Sequence, residues 1–452
     1  MFKPKQIVMA LALALPAFAH AQSNADVLKE LNALKARIQQ LEEQLKQAHE
    51  AQSASSSAID PAEFNRIAVK TEALEDNAEE QGFKGLKISG YMDPTFIMNK
   101  RQDTAGFQFL NRVEDGGYNY DNSYFGAVAI DFLKETESGT RWHLTLAPNR
   151  GVGAVFNGNS PVQEATVSIP LTDLQTRLIA GQMPDWSGYE YLQPTLNKLT
   201  THNLLFDFTL PTAYTGAGLE VTSGKWIVKG MLANMNTTKK SSGNKTPVLA
   251  YRVDYSKGEF QGFGFAGVHG KAANFRSDDV NPITSDPYDT RDTWLNLFEF
   301  DAYFIRGDWT VQGQVSFGQQ KDAAITADPT TGELRDARWW GVSGLAAYKF
   351  TPRFEGILRA DYINNKKNGG GLLGYNFADA YNGIGPDQVG DPEVGANRYA
   401  LTFGLGYQWN SSTTFKAEYR YDRASQPVFE DVKDGSFKKD NHLIGVSTVV
   451  SF

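Results

Sequence analysis

From Leu86 to Phe452 the apolar positions recur at every second residue, the period of a strand with one face in an apolar environment and the other in water. Sixteen such segments can be marked, at about 86–98, 123–134, 140–147, 163–170, 174–182, 216–222, 225–235, 247–256, 262–273, 293–306, 309–320, 338–350, 353–366, 398–409, 412–423 and 441–452. Upstream the period is different. Val27, Leu31, Leu34, Ile38, Leu41 and Leu45 alternate in spacings of four and three with Lys, Arg, Glu and Gln between them, a heptad seam with Leu31, Ile38 and Leu45 at a. Residues 22–50 are therefore expected to be a self-associating coiled coil, the alternative being a helix packed on another surface.

The spacing between the strand segments tests their number. The connections alternate between short ones (ETESGT, PLTD, SGK, SKGEFQ, RGD, TP, NSS) and long ones, which include 99–122, 183–215, 274–292, 321–337, 367–397 and 424–440. A miscount by one strand would exchange the two classes partway along. The regularity predicts an even-numbered antiparallel barrel with short turns at one end and long loops at the other, and sixteen strands give it an aqueous lumen.

Alternation alone does not separate a membrane barrel from a soluble sandwich, whose polar face also points to water. The tryptophans do, because Trp142, Trp226, Trp309 and Trp409 each adjoin a short turn, with Tyr255 and Phe350 beside others. Amphipathic rings at one level form an interfacial girdle. The fold class expected is an all-β transmembrane barrel of about sixteen antiparallel strands, residues 83–452, preceded by an N-terminal α-helical coiled coil.

The rest of the N-terminal region fits an exported chain. Lys3 and Lys5, an apolar run from Ile7 to Leu15 and Ala19-His20-Ala21 form a secretory signal peptide over residues 1–21. Residues 51–59 carry the linker AQSASSSA, and Asp60 with Pro61 starts a short helix over 60–82 that ends at Gly82 and Gly85. No cysteine is present, which excludes disulfides and thiolate sites, and the signal contains no acid, so its removal leaves 42 basic residues (44 less Lys3 and Lys5) against 52 acidic. That balance gives no electrostatic reason to bind nucleic acid. GFGFAG at 262–267 matches G-x-G-x-x-G but opens no helix, and the six histidines have no metal-ligand spacing, so no cofactor is expected.

The last strand, HLIGVSTVVSF, ends on Phe452. Here the chain resembles the bacterial outer-membrane porins, in which a terminal Phe serves as the signal for the barrel-insertion machinery. A coiled coil ahead of a sixteen-stranded barrel resembles the DcaP-like and phosphate-selective porin groups. The resemblance implies periplasmic helices, a homotrimer, contact with outer-membrane lipid and lipopolysaccharide, and passive diffusion of small hydrophilic solutes, anionic ones among them. It also implies that the third external loop, 183–215, folds into the channel, although a PEFGG-type sequence is missing from it. Alternation directs Arg141, His143, Arg177, Arg252, Arg359 and Arg420 inward, together with Asp131, Glu164, Asp254, Glu299, Asp301, Glu355, Asp361 and Asp422. The expected constriction sets Asp185 and Glu190 of the loop against Arg141, Arg177 and Arg359, a transverse field that would orient polar solutes. Competing readings are a barrel hydrolase using His143 or His442, for which no nucleophile–base constellation is visible, and an adhesin or tether built on the coiled coil and long loops.

Overall fold

The computed structural model describes Glu43 and residues 61–80, 82–109, 126–147, 160–237, 246–256, 258–276, 279–288 and 290–452. The chain divides into two units, Met1–Phe83 and Lys84–Phe452. In the first, helix α1 (Pro61–Glu80) occupies the segment that its Pro start anticipates, and Phe64, Ile67 and Val69 along it are exposed. The signal peptide, the coiled coil and the linker lie, Glu43 apart, outside the described residues.

The second unit is a closed antiparallel barrel of sixteen strands, two of them built from two segments each. They are β1 (Leu86–Met92 and Thr95–Asn99), β2 (Thr104–Gln108 and Val128–Glu135), β3 (Arg141–Leu146), β4 (Val162–Pro170), β5 (Thr176–Pro184), β6 (Ala213–Ser223), β7 (Trp226–Met235) and β8 (Val248–Ser256). The ring continues through β9 (Gln261–Ala273), β10 (Asp292–Arg306), β11 (Trp309–Gln320), β12 (Ala337–Thr351), β13 (Phe354–Asn364), β14 (Arg398–Asn410), β15 (Thr413–Ala424) and β16 (Asp440–Ser451). Each strand pairs with its neighbours in sequence, and β16 closes on both segments of β1.

One expectation is corrected. Residues 99–122 do not form a single external loop, because Thr104–Gln108 turns back and pairs with Thr95–Asn99 as the upper half of β2. The cause is Asp93-Pro94. Proline has no N–H for the ladder, and the Asp93 carboxylate accepts from the backbone N–H groups of Gly126, at 3.2 Å, and Ala127. Both strands are thus interrupted at one level, β1 between Met92 and Thr95 and β2 between Gln108 and Val128.

Apolar side chains line the outward positions, among them Leu232, Leu249, Phe265, Phe298, Phe317, Leu358, Phe403 and Val446, all exposed. At the short-turn end Trp142, Trp226, Trp309 and Trp409 are also exposed, with Tyr255 and Tyr348 packed on Trp226 and Trp309 at ring separations of 4.7 and 4.8 Å. This is an apolar band with an aromatic rim, the surface that a bilayer solvates.

Phe452 lies on the seam of the ring. Its N–H donates to the Gly90 carbonyl at 3.1 Å and its own carbonyl accepts from the Gly90 N–H at 3.3 Å. The ring covers Gly90 so closely that a Cβ there would lie 2.7 Å from it. Deleting Phe452 should lower the yield of assembled barrel more than the stability of what does assemble, since a rim aromatic contributes only about 1–3 kcal/mol by burial. Gly90→Val should produce a similar assembly defect by displacing the ring. Heat-modified mobility on gels compares the two, and normal assembly of both variants would remove the role.

The interior is not uniformly polar. Inward positions of β6 to β16 toward the long-loop end, including Tyr214, Met231, Val248, Val268, Leu295, Trp339, Ile363 and Leu443, form one buried apolar cluster with residues of the loops above them. This part of the barrel is filled by side chains, a departure from the open lumen that strand number alone implies.

Candidate functional site

The connection between β5 and β6, residues 185–212, folds into the barrel and docks on its opposite wall. In a ring of sixteen, β13 lies eight strands from β5, and it is β12 to β16 that hold the loop.

Four groups of wall residues clamp it. Arg359 on β13 donates to Glu190 Oε1 at 2.8 Å, to the Thr201 carbonyl at 2.7 Å and to the His202 carbonyl at 2.9 Å. Glu418 on β15 accepts from the N–H of Thr200 at 2.7 Å and from the Thr201 hydroxyl at 2.5 Å. Lys416 donates to the carbonyls of Pro194 and Asn197, both at 2.6 Å, and Lys198 pairs with Glu355 at 2.7 Å. Ser343 of β12 meets the Tyr189 hydroxyl at 2.6 Å, and Ser447 of β16 meets that of Thr200 at 3.1 Å. Buried backbone polar groups need partners, and a loop inside a barrel finds many of them on the wall.

The loop then turns through α2 (Leu204–Phe208), a five-residue helix capped by Asn203, whose side-chain oxygen accepts from the N–H groups of Leu205 and Phe206. Leu204, Leu205 and Phe208 are buried in the apolar cluster. Arg420 reaches the His202 carbonyl at 2.6 Å and pairs with Asp422, which also holds Arg398 at 2.9 Å. Arg359, Arg398 and Arg420 are all fully buried.

Of the residues expected at a constriction, the structure brings Glu190 and Arg359 together as a buried pair. It does not bring Arg141, Arg177 or Asp185 to that place. Arg141 lies near a short turn, 3.1 Å from Glu135. Arg177 is folded against the same end, donating to Ser168 Oγ and the Gly139 carbonyl, both at 2.6 Å. Asp185 is held at the loop's root by the Tyr214 hydroxyl at 2.7 Å and by Ser187. The reason is depth: both arginines sit at the beginnings of their strands, whereas the loop docks nearer mid-barrel. Arg252 bridges Asp254 and Asp301, and Gly264 opposite leaves space that a Cβ would take from its guanidinium. Thr200, Thr201, Lys416 and Glu418 were missed as a group. Lys416 and Glu418 alternate with Phe415, Ala417 and Tyr419 along β15, and nothing local links them to a loop more than two hundred residues away.

Two buried loop groups titrate abnormally, with opposite signs. Burial pushes the His202 imidazole down from 6.5 to about 3, against its bond to the Tyr191 carbonyl, with Arg359, Lys416 and Arg420 acting in the same direction as burial. Burial pushes Asp185 up from 3.8 to about 6, against hydrogen bonds from Tyr214 and Ser187. A released loop protonates His202 below 6.5 while the docked loop refuses the proton until about 3, so acid weakens docking across that window. Asp185 takes its proton at about 6 when docked and only near 3.8 when released, so acid strengthens docking there. Asp185→Asn should therefore uncover a loss of docking as pH falls from about 6 to about 4, read as faster amide exchange across residues 190–205. Adding His202→Gln should abolish it; exchange independent of pH in Asp185→Asn would contradict the assignment.

Residues 61–452 match the family described as "Protein of unknown function (DUF3138)". The chain belongs to that family. No curated protein matches the sequence. Among solved structures the barrel is similar to a loop L8 deletion mutant of OmpT, an outer membrane protein of Vibrio cholerae, with 10% identity, 81% of this chain and 99% of that one covered, and a TM-score of 0.51. It is also similar to an anion-selective porin from Comamonas acidovorans, again with 10% identity and coverage of 81% and 99%, at a TM-score of 0.50. At that identity the likeness is one of fold.

Neither histidine raised for hydrolysis has a serine among its hydrogen-bond partners in the described residues. His143 lies between Asp131 at 2.6 Å and Glu164 at 2.9 Å. His442 meets the Tyr419 hydroxyl at 2.6 Å and Asp440 at 3.3 Å.

Proposed function

We propose that this protein is a bacterial outer-membrane porin, a passive channel for small hydrophilic solutes. The observation that carries the reading is the 185–212 loop, which crosses the interior and is clamped to the far wall by ion pairs. A barrel needing only rigidity has no use for a partial partition with charged walls left beside it, whereas a diffusion channel sets its cut-off with one. The apolar outer band and aromatic rim support residence in a bilayer. In this reading Glu190, Arg359 and Arg420 act as anchors of the constriction. Arg252 and its carboxylates border the passage.

The heptad seam of residues 22–50 supports a periplasmic coiled coil that helps to hold a homotrimer, as in the DcaP-like group, after cleavage of the signal peptide. Barrel-insertion machinery, lipid and lipopolysaccharide are the partners this implies. The test is reconstitution of the purified chain in planar bilayers, where discrete current steps are expected. Silent bilayers containing folded, oriented protein would exclude a porin and leave the tether reading.

A further inference from the structure

We propose that the passage takes an uncharged, polyhydroxylated solute of the sugar class, and that Tyr191 of the loop and Tyr303 of the wall hold it beside Asp254. The inference rests on the porin reading and names its solute class.

Charge on the wall from β2 to β8 is balanced and spent locally. Arg141 lies 3.1 Å from Glu135, and His143 bridges Asp131 and Glu164 at 2.6 and 2.9 Å. Lys229 lies 3.9 Å from Glu220, and Arg252 lies 2.8 Å from Asp254. Arg177 is buried against carbonyls at the short-turn end. Each of these carboxylates thus has a basic nitrogen no farther than 3.9 Å away. Charges paired at that range largely cancel one another along the passage, so an ion leaving water gains little. A neutral solute with many hydroxyls finds donors and acceptors side by side.

Strand β9 supplies a bare floor beside this wall. The GFGFAG sequence at 262–267 alternates in face, which puts Gly262 and Gly264 inward with no side chain. Tyr303 of β10 stands opposite Gly262, and Asp254 of β8 stands opposite Gly264. Both neighbours fold down into the space. A Cβ on Gly262 would lie 2.8 Å from the Tyr303 ring, and one on Gly264 would run into the Arg252 guanidinium and lie 2.7 Å from Asp254 Oδ1. The half-buried Tyr303 ring therefore rests on backbone alone. Asp301 and Glu299 share the same guanidinium but are buried, and Glu299 also accepts from the Gly188 N–H. Asp254, with 28% of its side chain exposed, is the acceptor of this group that the passage meets.

The loop sets Tyr191 across from that floor. Its N–H donates to Asn197 Oδ1 at 2.9 Å, and its carbonyl accepts from Asn197 Nδ2 at 2.6 Å and from His202 Nε2 at 2.8 Å. The backbone is pinned, yet the side chain is half exposed, and among the described residues its hydroxyl has no hydrogen-bond partner. The phenol is within electrostatic reach of Arg252, Asp254, Asp301 and Tyr303. A ring held rigid in this way loses little freedom when a solute lands on it. Aromatic faces pack against the C–H faces of a sugar ring, and the sugar's hydroxyls, each donor and acceptor, suit one carboxylate and two phenols. Lys349 and Arg353 border the short-turn mouth, but both are exposed, where 0.1 M salt screens a charge within about 10 Å.

The experiment records the full chain in planar bilayers, first across a tenfold KCl gradient. Symmetric KCl follows, with maltotriose added or, in parallel, a polyethylene glycol of the same hydrodynamic size. The reversal potential should lie near zero, and maltotriose should block the current saturably where the polymer only lowers it in proportion to its concentration. Tyr191→Ala with Tyr303→Ala should raise the half-blocking concentration about tenfold. Tyr191→Phe should raise it less, since the ring remains. A reversal potential directed strongly to potassium or chloride, or equal effects of maltotriose and polymer, would overturn the inference and leave the porin reading standing. A double variant blocked as readily as the parent would overturn the residue assignment, and the absence of current steps would count against the porin reading itself.

Discussion

Arg359→Ala combined with Glu418→Ala should give a channel of higher and noisier conductance than the parent. Arg359 is fully buried, and its loss strands Glu190 and the carbonyls of Thr201 and His202. Breaking one side of a buried charge pair costs about 3–5 kcal/mol, because the remaining charge stays desolvated and alone. Glu418 holds the neighbouring amides of Thr200 and Thr201, so the two removals act on one short stretch and should couple. What remains is Lys416 on three carbonyls and the Lys198–Glu355 pair at the loop's tip, and Arg420, two hydroxyl contacts and the buried α2 without the paired charges that lock the stretch between them. The single variants should open intermittently and the double variant should stay open. Single-channel recording separates these outcomes, and proteolysis near the exposed Leu196 provides a readout independent of current. A double variant with the parent's conductance and protease resistance would mean that the clamps do not position the loop.

Phe208→Ala should lower the free energy of unfolding by about 3–5 kcal/mol, the usual cost of deleting a buried aromatic ring. Phe208 sits edge-on to Tyr375 at 5.3 Å, and the Arg398 guanidinium lies 5.6 Å from its ring centre. It joins the loop's helix to the external loops that carry Tyr375 and Phe429, the latter 4.6 Å from the same guanidinium. The expected effect on conductance is smaller than for Arg359, since the wall clamps remain. Denaturant titration of the barrel in lipid vesicles measures it. A loss below about 1 kcal/mol would show that the ring is not packed as core.

Strand number and face were legible in the sequence because both follow from local rules. Alternation assigned Arg252, Arg359, Arg420, Asp361 and Asp422 to the inner face, and the register agrees, with Asp361 opposite Ser343 and Arg420 opposite Thr402. The break at Asp93-Pro94 went unread inside the 86–98 segment, because what fixes it, the Gly126-Ala127 backbone, is far along the chain. The constriction was legible as a loop with apolar side chains to bury. Its pairings were not, because alternation gives a face and no height, and height separates Arg141 and Arg177 from Arg359. The filling of the outer half was hidden for the same reason: Leu295, Trp339 and Ile363 read as inward apolar residues, and what covers them comes from Leu372, Val428 and other distant loop residues.

The docked loop also bears on how this family can diversify. Elsewhere on a barrel, an external loop can drift in sequence without touching the wall, so new surface variants arise at little cost. Here Leu205 and Phe208 belong to the largest apolar cluster, and Thr201 lies within the clamps. A substitution that widens the opening therefore also loosens the folded chain. Lineages adapting to a different nutrient should then change partly exposed wall positions such as Asp131 and Glu220 first, and leave the loop nearly fixed.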